Sequence, residues 1–191
     1  MVLPFSMNGK IMKVKSPIKA GVRLGSDFYM QDILNVAPGL LGKILALAGP
    51  DGTVHRHVIT ETEAYRGMED KACHASKGKT ARTEVMFRRG GYVYVYFVYG
   101  MYWMLNVVAG PEGEPQASLI RCLDQFEGPG RLTRALGIDG SFYAEDLLTS
   151  NRIWIEDSGL PTYYRTAVRI GVNYAGEPWK SMPWRYILGQ D

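Results

Sequence analysis

The sequence of 191 residues predicts an α+β fold: a single mixed domain built on a curved, mainly antiparallel β-sheet, with short helices and a protruding β-hairpin. Three observations carry that expectation. Runs that alternate with period two recur at short intervals, without the long helices that parallel crossovers require. The helical stretches are brief and stop at Pro38-Gly39 and Gly137. The third is the stretch Tyr92 to Asn106. Up to Val98 it sets Tyr92, Tyr94 and Tyr96 on one face and Val93, Val95 and Phe97, the expected core side, on the other. Tyr99-Gly100-Met101 interrupts it, and Gly100 can take the positive φ of a tight turn, so Tyr99 and Met101 sit at a hairpin tip while Tyr102 to Val108 returns.

Taken in order, residues 1–26 read as a flexible basic tail, and residues 27–191 as the domain. Asp27 is placed to cap a helix running to about Val36, and a strand follows, ending near Ala48. Pro50-Asp51-Gly52 is a turn, and Val54 to Ala64 pairs back across it. Gly67 to Thr83 is polar and small, a long loop of the kind that carries function or moves. After the tyrosine-rich hairpin come a polar loop from Gly110 to Gln116 and a strand from Ala117 to Asp124. A helix from Arg131 to Leu136 follows, then a turn-rich segment, a strand at Ile153 to Glu156, a strand at Ala167 to Val172, and a last apolar segment from Trp179 to Leu188.

Bulk properties narrow the function. The net charge is +3, yet Lys10, Lys13, Lys15, Lys19 and Arg23 all lie in residues 1–26, which hold no acid, so the domain itself is slightly acidic. Such a tail can hold a phosphate backbone without specificity, or simply be solvated. Cys73 and Cys122 form no disulfide framework and no metal-ligand spacing, which suits a reducing compartment. No long apolar run marks a membrane span or a secretory signal, so the expected location is cytoplasmic, at the nucleoid.

Chemistry concentrates in Thr60-Glu61-Thr62-Glu63-Ala64-Tyr65. Strict alternation puts Glu61, Glu63 and Tyr65 on one face, shared with His55 and His57. Two carboxylates so placed fit a general base with a neighbour, half a metal site, or a solvated strand edge, and the residues alone favour the edge. His74 lies in the loop that can fold back over this strand; a lone histidine is more often structural. Arg121 is a charge inside the apolar run Leu119-Ile120-Arg121, which points to a buried partner or a bound anion.

Glu61-Thr62-Glu63-Ala64-Tyr65, Glu69-Asp70, His74, Met86-Phe87, Tyr94-Val95-Tyr96, Tyr99-Gly100-Met101-Tyr102 and Asn106 together resemble the signature of the alkyladenine (3-methyladenine or methylpurine) DNA glycosylases. Leu119-Ile120-Arg121, Gly128-Pro129-Gly130-Arg131-Leu132, Ala135-Leu136-Gly137-Ile138, Arg169-Ile170-Gly171-Val172 and Ala175-Gly176-Glu177 continue it in order, from about Asp27 to the C-terminus. Several spaced motifs in one order are far more specific than any one of them. The resemblance implies a monofunctional enzyme of base excision repair that flips a damaged purine out of duplex DNA and hydrolyses its N-glycosidic bond with water, without strand cleavage. It implies Glu63 as the base and Arg121 as the residue that helps hold the water. Tyr65, His74 and Tyr96 become the base sandwich, Asn106 the wall against the amino group of guanine, and Leu119 and the Ile170-Gly171 turn the pocket floor. Tyr99 becomes a wedge in the minor groove, with Met101 and Met86 beside it. Lys77, Lys79 and Arg82 are candidates for phosphate contacts or for an ordinary solvated loop.

The partner implied is double-stranded DNA containing damaged purines, met by a monomer with no cofactor and no metal. The rival from another class is a non-catalytic protein that binds or bends lesion DNA with the Tyr99 wedge; Glu63 together with Arg121 argues against it. Two departures stand out. The Asp124 to Gly128 connection is short where many relatives carry a longer basic one, and Gly90-Gly91 replaces the Pro-Gly turn common at the hairpin entrance.

Overall fold

A computed structural model describes residues 18–159 and 163–189. Lys10, Lys13 and Lys15, the bulk of the expected basic tail, lie outside the described residues. The elements run β1 (Val22–Arg23), α1 (Ser26–Tyr29), α2 (Ile33–Gly39), β2 (Ile44–Ala48), β3 (Val54–Arg66), β4 (Val93–Val98), β5 (Tyr102–Val108), β6 (Gln116–Leu123), β7 (Phe126–Glu127), α3 (Pro129–Ala135), β8 (Ile153–Asp157), β9 (Tyr164–Ala167) and β10 (Arg185–Leu188), with short 3-10 turns between them. The strands join one open sheet of order β1-β8-β2-β3-β6-β5-β4, and β10 pairs with β3 and carries β9. Every named pairing is antiparallel, so the α+β class and the dominant antiparallel pairing are as the sequence predicts.

β3 is the spine. Its first half pairs with β2, its second half with β10, and β6 lies along the other side. The β3–β6 register shifts on both sides of Glu61, because β3 carries one extra residue at Thr60 and β6 one extra at Arg121. These bulges turn the alternation over. Ile59 and Ala64, of opposite parity, both enter the main core, and so do Leu123 and Ile120. Strict alternation therefore fails at Thr60: His55 and His57 do not share the face of Glu63, contrary to the sequence reading. His57 instead packs its ring on Phe126 at 5.2 Å and stands 3.8 Å from Asp124.

The helix expected from Asp27 to Val36 is two helices. Asp27 lies in the first turn of α1, and Asp32 caps α2, its carboxylate accepting the Leu34 N–H at 2.8 Å. A side-chain acceptor that takes an amide hydrogen ends one helix and starts the next. α2 lies over β3, where the Thr62 hydroxyl donates to the Ala37 carbonyl at 2.8 Å. Pro129 is at the start of α3, where its missing N–H costs nothing.

The expected strand at Ala167 to Val172 is displaced. β9 ends at Ala167, and residues 168–172 form a loop. The reason is Arg169, whose guanidinium is drawn into a buried pair with Asp70 and takes the backbone out of the ladder. In the hairpin, Val93 and Val95 are core and Tyr94 is buried on the other face. Phe97, expected in the core, is 48% exposed and rests on Trp103. Tyr99 and Gly100 have φ of +53° and +66°, and the Met101 N–H closes the turn on the Val98 carbonyl at 3.1 Å. Two positive φ values mark the primed class of hairpin turn, which matches the strand twist.

Candidate active site

Cross-strand pairing sets one row of residues on a single face of the sheet: Arg185 on β10, Glu63 on β3, Leu119 on β6, Asn106 on β5 and Tyr94 on β4. Tyr65 and Tyr96 lie one step along the same face. The bulge sets both Arg121 and Cys122 against Glu61 and aims Arg121 at the row.

Glu63 is fully buried. Its Oε1 accepts the Ile170 N–H at 2.8 Å and faces Nη1 of Arg121 at 3.3 Å; its Oε2 accepts the Tyr65 hydroxyl at 2.8 Å. Three donors meet a group with about four lone-pair positions, so roughly one acceptor position is left. Burial, then the Glu63 charge, holds the Tyr65 phenol well above its usual range, so it remains a donor.

Behind Tyr65 stands Arg169, whose guanidinium lies between the Tyr65 ring at 4.9 Å and the Trp184 ring at 5.0 Å. It binds Asp70 with two N–H groups, at 2.6 and 3.0 Å, and donates to the Ala64 and Trp179 carbonyls. Both side chains are completely buried. This pair fixes the segment whose next residue supplies the Ile170 N–H. The Tyr174 hydroxyl, donating to the Ala72 carbonyl at 3.0 Å, ties the same segment to the one that carries His74.

His74 Nδ1 lies 2.9 Å from the Tyr94 hydroxyl, and its ring stands edge-on to Tyr96 at 4.5 Å. Arg82 lies 5.0 Å over the Tyr96 ring. Burial, then Arg82 and Lys77, pushes the imidazole down to about 4, so it is neutral at pH 7. Unfolded histidine takes up its proton near 6.5, whereas the folded ring holds off until about 4, so stability falls as pH drops through that window. The wild type is expected to lose up to roughly 3 kcal/mol from this group between pH 6.5 and 4, and His74→Gln to show a shallower decline. Equal slopes in pH-dependent melting would assign the proton uptake to other groups.

Of the other residues expected at the site, Asn106 is buried, its amide donating to the Tyr94 and Met104 carbonyls, and Leu119 is buried beside Glu63. Ile170 is half exposed. Tyr99 is 87% exposed and Met101 60%, both at the hairpin tip. Met86 is not at the surface: it packs with Val85, Tyr94 and Val108 at 1% exposure, so it cannot stand beside Tyr99 in a groove. Lys77, Lys79 and Arg82 are all exposed, and the Arg82 guanidinium also lies over the Tyr96 ring. The sequence reading gave no role to Asp70, Tyr94, Arg169 or Arg185. For Arg169 and Arg185 the signal was the one used for Arg121, a charge within an apolar run.

Fold and site together define a protein with a fixed, buried carboxylate among aromatic walls, on a sheet that extends an exposed aromatic hairpin. Comparison with known proteins gives the particular kind. The methylpurine-DNA glycosylase family matches residues 27–127 and 123–191, and the match divides at the short connection before α3. A protein of Desulfitobacterium hafniense named "Putative 3-methyladenine DNA glycosylase" is 42% identical over 194 residues, covering 87% of this chain and 95% of its own. Proteins of the same name are 43% identical over 176 residues in Anaeromyxobacter dehalogenans, covering 87% and 84%, and 38% identical over 174 residues in Rickettsia felis, covering 87% and 93%. The chain belongs to the methylpurine-DNA glycosylase family.

Proposed function

We propose that the protein is a monofunctional DNA glycosylase that takes an alkylated or deaminated purine out of duplex DNA and hydrolyses its N-glycosidic bond with water, opening base excision repair. The observation that carries this reading is the buried Glu63 carboxylate, held by Tyr65, Ile170 and Arg121 with one acceptor position to spare. The names of the relatives support an alkylated purine as the substrate.

Glu63 takes a proton from the water, whose oxygen bonds to C1′ of the deoxyribose while the bond from C1′ to the purine nitrogen breaks. The electron pair of that bond leaves with the base, so a cationic alkylpurine departs neutral and needs no acid. The carboxylate also stabilises the positive charge that builds on the sugar. Tyr65 and Tyr96 flank the purine ring, and His74, neutral at pH 7, serves by hydrogen bond rather than by carrying a proton. Asn106, fixed by two carbonyls, stands against the exocyclic amino group of guanine. Lys77 and Lys79 meet phosphates.

Tyr99 enters the stack and fills the space the base vacates. Tyr99→Ala keeps a Cβ at the same positive φ, so stability should stay within about 0.5 kcal/mol, while affinity for a lesion duplex falls roughly ten- to hundredfold. Unchanged binding would make Tyr99 an ordinary turn residue. The test of the whole reading is a panel of duplexes, each with one alkylated or deaminated purine, assayed for free base and for strand breaks. Release of base with the strand intact is expected; no release from any lesion would overturn it.

A further inference from the structure

Glu61 has more partners than a supporting carboxylate needs. Its Oε1 accepts Nε of Arg121 at 3.2 Å and stands 3.6 Å from Nη1 of Arg185, and its Oε2 accepts the Cys122 thiol at 3.0 Å. The thiol is a secure donor, since burial, then Glu61, pushes it up to about 12. Its sulfur in turn accepts the Gly128 N–H at 3.4 Å, just ahead of α3. Glu61 is thereby located by β3, β6, β10 and the entrance to α3.

The Arg121 guanidinium is shared, Nε to Glu61 and Nη1 to Glu63. A planar guanidinium bonded through Nε cannot rotate its fork freely, so Glu61 decides which edge of Arg121 reaches Glu63. Without that hold, Arg121 is free to swing onto Glu63 as a bidentate fork. Two N–H groups would then occupy both carboxylate oxygens and take the acceptor position left for water.

We propose that Glu61 is a positioning residue of the hydrolysis, which restrains Arg121 so that Glu63 keeps an open lone pair for the attacking water. The proposal rests on the reading of Glu63 as the base. Its test is a double-mutant cycle in single-turnover release of base from an alkylated duplex. Rates are expressed per binding-competent enzyme, counted by titration with an abasic-analogue duplex, so a partly folded variant is not scored as a slow one.

Glu61→Met, which keeps the length of the side chain but leaves nothing to accept the Arg121 Nε–H, is expected to slow release about 30-fold and Arg121→Met about 100-fold, with affinity for the abasic analogue within about threefold in both. Because Glu61 acts through Arg121, the double variant should be no slower than Arg121→Met alone, to within about threefold. Losses that multiply, toward about a thousandfold or more, would show Glu61 acting independently of Arg121 and overturn the proposal. Wild-type rates for Glu61→Met would overturn it equally. Wild-type enzyme that releases no base would instead remove the functional reading beneath it.

Discussion

Glu63→Gln is expected to reduce release of alkylated purines by about a thousandfold or more while the protein still binds a lesion or abasic-analogue duplex within about threefold of wild type. The substitution conserves shape but removes the proton acceptor. The amide oxygen can keep the Ile170 N–H and the Arg121 contact, and the amide nitrogen can face the Tyr65 oxygen, whose hydroxyl is able to rotate and accept. Few donors are left unpaired, so stability should change by about 1 kcal/mol at most. Loss of turnover with binding and melting preserved separates a chemical role from a structural one. Turnover within tenfold of wild type would remove Glu63 from the chemistry.

The largest effect on stability is expected at Asp70. Asp70→Ala leaves the Arg169 guanidinium buried without its anion, and removing one partner of such a pair typically costs about 3–5 kcal/mol. For a domain of this size that lowers the melting temperature by roughly 6–20 °C. Activity should fall beyond what melting explains at assay temperature, because Arg169 fixes the segment that presents the Ile170 N–H and backs the Tyr65 ring. A loss below about 1 kcal/mol would show that this pair is not what holds the segment.

Much of this was legible in the residues. Strand alternation and turn chemistry located β2, β3, β5, β6 and β8 to within a few residues, and the tyrosine periodicity placed Tyr94 and Tyr96 together on one side of β4. Long-range pairing was not legible. The 168–172 segment has the composition of a strand, and only the attraction of Arg169 for Asp70, 99 residues away, makes it a loop. Met86 was misplaced for the same reason: burial depends on what covers a residue, and Val85, Tyr94 and Val108 cover this one. The role of Arg82 is also hidden in sequence. A cation in a polar loop suggests phosphate, yet its position over Tyr96 is a tertiary fact.

The irregularity at Thr60 bears on how the chain encodes its chemistry. The two halves of β3 are out of phase by one residue, with Ile59 and Ala64 both turned inward. Were Thr60 not taken up by the bulge, so that β3 ran on in regular phase with every residue kept, Glu61, Glu63 and Tyr65 would turn into the apolar interior and Thr62 and Ala64 would come out in their place. No side chain would have been altered, yet the carboxylate would be lost to the surface it serves. The bulge between Ile59 and Glu63 is thus as much a part of the site as the glutamate itself.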